Sequence, residues 1–223
     1  MRLAVFDLDH TLLAADSDFL WGQFLCDEGL VDRAHYAARN AQFYADYSAG
    51  TLDIAAFYDF SLAPLTQKSI AEWQPLRTRF VTEIITPRIA PLAPALLERH
   101  RMAGDTLLIT TATHSFITEP IAALLGIEHL LATEPEVLDG RHTGRLLRAN
   151  FQAGKVERLR EWMHEHDAGA AHLTAYSDSR NDLPLLEFAH TAVAVDPDPV
   201  LRAEAVRRGW QVLSLRTAPV MAS

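Results

Sequence analysis

Short apolar runs with the character of β-strands alternate along this chain with segments of helical periodicity. Between several of these runs, as in 117–125 and 156–163, apolar residues recur at spacings of three and four, which is typical of amphipathic helices. Strands that alternate with helices form parallel sheets wrapped by those helices, so the pattern predicts an α/β fold with a doubly wound parallel sheet. The predicted strands cover residues 3–6, 106–110, 129–132, 172–176, 192–195 and 211–215.

One long stretch interrupts this alternation directly after the first predicted strand. Between about residues 15 and 84 nothing resembles a strand, and several helical segments follow one another. A chain of 223 residues exceeds the commonest size of one domain but falls short of two, which favours a single core with a sizeable insertion. We therefore predict a core of residues 1–14 and 85–223 and a helical insertion of residues 15–84. The predicted helices of the insertion span residues 19–28, 33–47, 54–60 and 68–82.

The composition argues against several classes of partner. The formal net charge of −9 disfavours nucleic-acid binding, which needs clustered Lys and Arg. The N-terminal apolar run is too short for a signal peptide, and no stretch of about 18 apolar residues could span a membrane. Cys26 is the only cysteine, so one chain can form neither a disulfide nor a cysteine metal cluster. We expect a cytoplasmic protein that binds neither nucleic acid nor membrane, and the sequence makes no prediction of oligomeric state.

Polar side chains follow several predicted strands at the point where each strand ends. In open α/β sheets ligands bind outside the carboxyl ends of the strands, so these side chains can converge although they lie far apart in sequence. A lysine at a predicted helix start, after Gly154, can join them. The residues concerned are Asp7, Asp9, Thr110, Thr111, Lys155, Asp178, Asn181 and Asp182.

This combination of carboxylates, hydroxyl and lysine suits the chemistry of phosphate esters. Oxygen ligands favour a hard cation such as Mg²⁺, which usually takes only one or two protein carboxylates. Crowded carboxylates repel one another and repel a phosphate dianion, and a divalent cation together with Lys155 would offset much of that charge. Phosphate monoesters hydrolyse very slowly in water, and a carboxylate nucleophile divides the difficult step into two.

Each of these residues also has a purely structural interpretation. Asp9 or Thr11 could cap a polar turn after the first strand, and Asp178 could cap a helix that begins near Asp182. Lys155 could be a solvated residue on an amphipathic helix. His10 and His114 flank the predicted site, where we interpret them as pocket-wall or substrate-contacting residues.

Four motifs, in this order along the chain, resemble those of the haloacid dehalogenase superfamily. They are DLDHTLL at 7–13, ITTAT at 109–113, Lys155, and SDSRND at 177–182. The helical insertion after the first motif resembles the phosphoserine-phosphatase-like branch, whose cap lies between the first and second motifs. The resemblance spans almost the whole chain and implies a Rossmann-like core with a helical cap formed by residues 15–84.

The resemblance also implies a role for each site residue. Asp7 would attack phosphorus and become an aspartyl phosphate, while Asp9 would protonate the leaving alcohol and then activate water. Mg²⁺ would be held by the carboxylates of Asp7 and Asp178 and by the backbone carbonyl of Asp9. The phosphoryl oxygens would contact Thr111, Lys155 and Asn181, with Thr110 as the alternative to Thr111, and Asp182 would bond a metal-bound water or orient Lys155.

The predicted cap combines acids with aromatic residues. Between residues 15 and 60 eight acids accompany only Arg33 and Arg39, and four of the five tyrosines lie there. Such a surface suits a cationic organic group, although the aromatics could equally form the cap core and the acids its solvent face. A small-molecule phosphate ester with a positive charge is therefore the expected substrate.

The resemblance narrows the choice of ester. Phosphoserine phosphatases of this branch bind the substrate ammonium with a cap glutamate, whose place Asp16 occupies, and the carboxylate with a cap arginine. Where that arginine is expected, the chain has Asp59-Phe60-Ser61-Leu62. The stretch DLDHTLLAADSDFLWG also resembles a subgroup that includes histidinol-phosphate phosphatases, whose substrate has an amine and an imidazole but no carboxylate. We predict L-histidinol phosphate, with phosphoserine or another small amino-alcohol phosphate as the alternative, and a phosphotransferase or receiver-like signalling module as alternatives of another class.

Overall fold

The strands of the computed structural model, which describes residues 2–169 and 171–216, form one sheet and confirm the α/β prediction. Seven strands in these described residues lie in the order β4-β3-β2-β1-β5-β6-β7. β1 occupies the middle and pairs in parallel with β2 and β5, and only β4 runs antiparallel to its neighbour. The strands are β1 Arg2–Phe6, β2 Thr106–His114, β3 His129–Leu138, β4 Arg141–Arg148, β5 His172–Ser177, β6 Thr191–Val195 and β7 Gln211–Leu213.

Helices cover both faces of this sheet. Side chains alternate between faces along a strand, and in β1 Leu3 and Val5 join one buried apolar cluster while Ala4 and Phe6 join another. Burial on both faces explains why β1 is a nearly continuous apolar run. The helices are α1 Ser17–Asp27, α2 Arg33–Ala49, α3 Ile54–Leu62, α4 Ile70–Arg79, α5 Ala93–Met102, α6 Ser115–Leu124, α7 Ala153–Glu165, α8 Leu183–Phe188 and α9 Pro199–Arg208. None of the helices in the described residues is long and apolar enough to cross a bilayer.

Residues 15–84, all of them described, contain α1 to α4 and no strand. The chain enters and leaves this insertion at one place, because Leu13 and Ile89 form an antiparallel bridge. Backbone hydrogen bonds flank the bridge, from Ala14 N to Arg88 O at 2.7 Å and from Ala90 N to Leu12 O at 2.9 Å. The exact division into domains at residues 14/15 and 84/85 stays a prediction.

The helices of the insertion begin at side-chain caps. Asp16 accepts a hydrogen bond from Phe19 N at the start of α1, Asp32 caps α2, and Asp53 caps α3. Ser69 and Glu72 form a reciprocal capping box at the start of α4. Such caps satisfy backbone N–H groups that have no partner within the helix. Three of the eight acids of residues 15–60 therefore support helix starts.

Two of the predicted helices contain an irregular feature in the structure. The predicted helix 68–82 corresponds to α4, which ends at Arg79, and to a wider helical turn that continues over Phe80–Ile85. Pro120 lies inside α6, where its missing N–H leaves the carbonyl of Phe116, four residues earlier, without its usual partner. Arg77 Nη1 donates to that carbonyl at 2.9 Å. A side chain of the insertion therefore supplies the hydrogen bond that α6 lacks because of its proline.

An antiparallel hairpin extends the sheet where no strand is predicted. β3 continues beyond the predicted end at 132 and pairs with β4. The turn between them contains Asp139 and Gly140 with φ of 47° and 73°, and two consecutive positive φ values are typical of the tight type I′ turn that Asp-Gly favours. The hairpin contacts the insertion, since Ile70 N donates to Gly140 O at 2.9 Å and the hydroxyls of Tyr58 and Thr133 lie 3.2 Å apart.

Candidate active site

The carboxyl edge of the sheet holds a buried lysine between two carboxylates. Lys155 Nζ, from the first turn of α7, donates to Asp7 Oδ1 and to Asp182 Oδ2, at 2.8 Å in each case. Burial alone would lower the pKa of Lys155, but the charges of Asp182 and Asp7 outweigh burial and raise it above its ordinary value. Lys155 is only 2% exposed, so it is not a solvated residue of an amphipathic helix.

A single hydroxyl connects the ends of β1 and β5. Thr11 Oγ1 lies 3.2 Å from Asp7 Oδ2 and 3.3 Å from Asp178 Oδ1, and it accepts a hydrogen bond from Asp178 N at 3.1 Å. The side chain of Asp178 caps no helix, since Ser179 caps the following turn over Arg180–Asp182. Asp7 and Asp178 therefore approach each other across a hydroxyl that has only one proton to share.

The cluster has more negative charge than its lysine can offset. Burial raises the pKa of Asp7 to about 7 against the opposing effect of Lys155, with Asp182 and Asp9 raising it further. Burial also raises the pKa of Asp178 well above its ordinary value, and Asp7 and Asp182 add to the effect. Both carboxyl groups would therefore be stabilised in their charged forms by an additional cation. The members are Asp7, Asp9, Asp178 and Asp182, around the single ammonium of Lys155.

These donors fit a hard divalent cation. No group of three or more His, Cys, Asp or Glu side chains in residues 2–169 and 171–216 is arranged to hold a metal ion, but Mg²⁺ usually takes one or two carboxylates and fills its other positions with other oxygens. Asp7 and Asp178 supply two carboxyl groups with raised pKa values, and they lie beside the backbone of Asp9. The charge and the donor set therefore agree with the predicted Mg²⁺ ligands, whose role stays a prediction.

Asp9 is positioned by the start of α1 and by β2. Its Oδ1 accepts a hydrogen bond from Ser17 N at 2.7 Å, and its Oδ2 accepts from Thr113 Oγ1 at 2.8 Å. Thr111 Oγ1 lies 3.4 Å from the same Oδ2. Thr113 is a site residue that the motif comparison did not single out, although Thr111 and Thr113 share one face of a strand because side chains alternate.

The geometry distinguishes between the two threonines that could bind phosphate. Thr111 borders the pocket above the cluster. Thr110 is fully buried, and its hydroxyl accepts a hydrogen bond from Asn150 Nδ2 at 3.0 Å. Thr110 therefore belongs to the packing of the sheet, which favours Thr111 as the phosphate-binding hydroxyl.

The other predicted residues of the SDSRND segment lie beside the lysine. Asp182 Oδ2 accepts hydrogen bonds from Lys155 and from Ser177 Oγ, so Asp182 is placed to orient the lysine. Asn181 is buried, with its Oδ1 3.3 Å from Gln152 Nε2. Its predicted contact with the phosphoryl oxygens stays a prediction.

Asn150 holds the threonine segment in place from the end of the hairpin. Its fully buried Nδ2 lies within 3.0 Å of Thr110 Oγ1, Thr111 O and Leu131 O, and its backbone N–H donates to Thr133 Oγ1 at 3.2 Å. These bonds join β2 to β3 at the point where β2 delivers Thr111 to the site. The sequence contains no local signal for this role, because the partners of Asn150 are set by sheet pairing.

Replacing Asn150 with Ala should lower the free energy of unfolding by about 2–3 kcal/mol, because buried carbonyls and a hydroxyl lose their donor. Asn150→Asp should destabilise the protein at least as much, since a carboxylate of the same shape cannot donate to these carbonyls. Urea unfolding followed by circular dichroism measures both changes. A loss below about 0.5 kcal/mol, the range of ordinary surface substitutions, would contradict this role.

A pocket lies between the insertion and the carboxyl edge of the sheet. It has a volume of about 570 Å³ including its open mouth. Its floor contains Asp7, Asp9 and Thr111, and its upper wall is mainly aromatic and acidic. The wall residues from the insertion are Asp16, Asp18, Phe19, Asn40, Phe43, Tyr44, Tyr47, Leu52, Ile54 and Phe57.

Three residues that the sequence places at or beside the recognition site make contacts within the protein. Asp16 borders the pocket, but its Oδ1 accepts the capping hydrogen bond from Phe19 N at 2.7 Å. His10 lies outside the lining of this pocket, where its Nε2 lies 3.3 Å from Tyr44 OH of the insertion. His114 is 2% exposed and lies behind the wall, with Nε2 3.6 Å from Asp18 Oδ1. His114 does not line the pocket, so it could affect a bound substrate only indirectly, through Asp18.

The sequence of the chain matches a known protein family and several known proteins. A family model described as haloacid dehalogenase-like hydrolase matches residues 4–187. The chain is 42% identical over 222 residues to a histidinol-phosphatase of Neisseria meningitidis serogroup C, covering 96% of this chain and 99% of that protein. It is 33% identical over 224 residues to a phosphoserine phosphatase of Mycobacterium tuberculosis, covering 96% of this chain and 71% of that one.

Two solved structures show the same fold. A Bordetella pertussis protein of unknown function superposes with a TM-score of 0.89 at 41% identity, covering 96% of this chain and 98% of that one. A phosphoserine phosphatase solved as a phospho-aspartyl intermediate analogue gives a TM-score of 0.70 at 16% identity, covering 96% and 93% of the two chains. At that identity the second likeness concerns the fold alone.

Proposed function

The chain belongs to the haloacid dehalogenase-like hydrolases, and from that premise we propose a Mg²⁺-dependent phosphomonoesterase whose substrate is L-histidinol phosphate. The observation that carries the proposal is the ammonium of Lys155 held between Asp7 and Asp182 beneath an acidic, aromatic pocket. The similarity to a histidinol-phosphatase over nearly the whole of both chains supports the choice of ester.

Asp7 is the nucleophile in this proposal. One of its carboxylate oxygens attacks phosphorus, the bond from phosphorus to the ester oxygen breaks, and an aspartyl phosphate forms. Lys155 already contacts Asp7 Oδ1, so its ammonium is placed to stabilise charge on the phosphoryl oxygens as they arrive. Thr111 at the floor of the pocket donates its hydroxyl to the same group.

Asp9 transfers the proton. Its carboxyl group gives a proton to the departing alkoxide, and the resulting carboxylate then removes a proton from the water that attacks phosphorus and releases Asp7. Ser17 N and Thr113 Oγ1 bind one oxygen each, and these two contacts fix the direction in which the carboxyl group points.

Mg²⁺ would be held by the carboxylates of Asp7 and Asp178 and by the backbone carbonyl of Asp9. Bound there, it would neutralise negative charge on the phosphoryl group and orient that group for attack. The excess of carboxylates over ammonium groups at this edge of the sheet supports this assignment.

The pocket favours a cationic ester without a carboxylate. The described residues that line it include Asp16 and Asp18 but no Lys or Arg. The carboxylate of phosphoserine would meet these acids with no cation beside it, which is costly in a partly desolvated site. An ammonium or an imidazole ring would find carboxylates and aromatic faces.

Phosphate release from a panel of esters tests the proposal. We expect L-histidinol phosphate to give the highest kcat/KM, ahead of phosphoserine by about tenfold or more, and release to require Mg²⁺ after treatment with EDTA. A preference for phosphoserine would overturn the substrate assignment. Absence of release from every ester in Mg²⁺ would overturn the phosphatase, and transfer to glycerol exceeding release to water would identify a phosphotransferase.

A further inference from the structure

The two carboxylates in the wall of the pocket differ in the hydrogen bonds that they accept from the protein. Asp16 begins α1 and uses Oδ1 to accept the hydrogen bond from Phe19 N. Asp18 lies two residues later, and its buried Oδ1 accepts no hydrogen bond from any residue in the described part of the chain. Oδ1 lies on the side of His114, so a ligand in the pocket that Asp18 borders would meet the carboxylate at its other oxygen, Oδ2.

We propose that Asp18 selects the substrate by accepting a hydrogen bond from its cationic nitrogen, with His114 as a positioning residue behind it. The inference rests on the proposed function, because it assigns the cation subsite of the same pocket. It shifts the task of cation recognition from Asp16, the residue that the family resemblance indicates, to the residue two positions later.

His114 supports Asp18 without neutralising it. Its Nε2 lies 3.6 Å from Asp18 Oδ1, and neither ring nitrogen has a hydrogen-bond partner among residues 2–169 and 171–216. Burial, with a smaller effect from His142, lowers the pKa of His114 to about 3. A neutral ring can offer Asp18 one N–H but no positive charge, so the negative charge of Asp18 remains available to a ligand.

The position of Asp18 connects recognition with proton transfer. Ser17, its neighbour in α1, donates its backbone N–H to Asp9 Oδ1 at 2.7 Å. The first turn of α1 therefore fixes Asp18 relative to the group that protonates the leaving oxygen. Burial and the charge of Asp9 raise the pKa of Asp18 to about 7, and a cation bound beside it would favour its charged form.

The aromatic residues around Asp18 fit a cation carried on an organic group. Phe19, Phe43, Tyr44 and Phe57 line the same pocket, and Phe19 and Tyr44 pack against each other with centroids 5.0 Å apart. Aromatic faces attract cations and exclude water, which strengthens a charged hydrogen bond. The geometry therefore fits an alkylammonium or imidazolium rather than a hydrated inorganic cation.

The test compares two esters that differ only in one amine, 2-aminoethyl phosphate and ethyl phosphate, together with L-histidinol phosphate. Asp18→Asn should lower kcat/KM for the two cationic esters at least about tenfold more than for ethyl phosphate, mainly through KM, because the amide offers the cation no negative charge and a hydrogen bond to a charged group is the stronger kind. Asp16→Asn should affect all three esters by a similar factor. Asp32→Asn, the same change at the cap of α2, is the matched control and should alter neither ratio.

His114→Gln distinguishes positioning from general support of the fold. We expect it to raise KM for the cationic esters less than Asp18→Asn does and to leave their kcat near that of the wild type. The double variant should be no worse than Asp18→Asn alone, because a residue that acts only through Asp18 has no separate effect. Additive losses, or equal losses for ethyl phosphate, would overturn the role of His114.

Binding of L-histidinol, which has no phosphate, separates this inference from the proposed function. Isothermal titration calorimetry should show binding to the wild type that weakens at least about tenfold in Asp18→Asn. Equal affinities, or a selective loss in Asp16→Asn instead, would overturn the inference whether or not the protein hydrolyses esters. Absence of ester hydrolysis with intact Asp18-dependent binding would overturn only the proposed function.

Discussion

Replacing Asp7 with Asn should lower phosphate release by at least about 10³-fold, because an amide has the shape of the carboxylate but lacks its nucleophilic oxygen. Lys155 keeps its second partner, Asp182, in this variant, and repulsion between Asp7 and its acidic neighbours disappears. We therefore expect the variant to fold, with a melting temperature close to that of the wild type. Kinetic constants for L-histidinol phosphate and a thermal melt measure the two effects.

A trapping experiment identifies the attacking atom directly. Wild-type protein quenched in acid after brief mixing with a ³²P-labelled ester should retain label that hydroxylamine releases, as an acyl phosphate does, and Asp7→Asn should retain none. Asp32→Asn, an identical change remote from the site, should behave as the wild type. If Asp7→Asn kept more than about a tenth of the activity, another group would have to be the nucleophile.

Replacing Lys155 with Met should lower the free energy of unfolding by about 3–5 kcal/mol in EDTA at pH 8, because Asp7 and Asp182 would remain buried without their cation. Methionine fills a similar volume, so little of the loss comes from a cavity. Activity should fall as well, since no ammonium remains beside the phosphoryl group. Urea unfolding of the wild type and the variant measures the difference in stability.

The loss in Lys155→Met should depend on pH in a defined direction. The pKa of Asp7 is already raised from 3.8 to about 7 in the folded protein, and removing Lys155 raises it further. A carboxyl group whose pKa is raised in the folded state destabilises that state as the pH rises above the pKa of the unfolded chain, and the penalty stops growing above the folded-state pKa. In the wild type the penalty from Asp7 therefore stops growing above about pH 7, whereas in Lys155→Met it continues to grow. The stability deficit should be larger at pH 8 than at pH 5.

The double variant Lys155→Met/Asp182→Asn provides the control. Removing one of the two orphaned charges should recover part of the lost stability, although not the activity. No recovery would mean that the packing of the lysine stem, rather than the pairing of its charge, stabilises the site. Lys155→Arg should be intermediate, since it keeps the charge in a different shape.

Those parts of the site that follow from strand ends were predictable from sequence. Asp7 ends an apolar run and Asp178 ends another, and parallel strands bring their carboxyl ends to one edge whatever their separation along the chain. The pairing of Lys155 with both Asp7 and Asp182 goes beyond that argument, because it depends on where α7 begins after the hairpin.

Contacts set by tertiary packing were not predictable in this way. The hairpin of β3 and β4 contains Pro135 and many charged residues, and only its Asp-Gly turn carried a local signal. Asn150 has its role because β2 and β3 are neighbours. Asp16 and Asp18 look alike in sequence, yet Asp16 accepts a backbone N–H of α1, while Asp18 borders the pocket and has a buried Oδ1 that accepts no hydrogen bond from the described residues.

The bridge between Leu13 and Ile89 has a consequence for how such a protein changes over evolutionary time. Because both ends of the 15–84 segment lie next to each other at this bridge, the segment leaves and re-enters the core at one place. Its length, sequence and number of helices can vary without altering the paths of β1 and β2. Under the proposed function, selection could therefore act on the choice of ester through one stretch of the gene while Asp7, Lys155 and Asp178 stay unchanged.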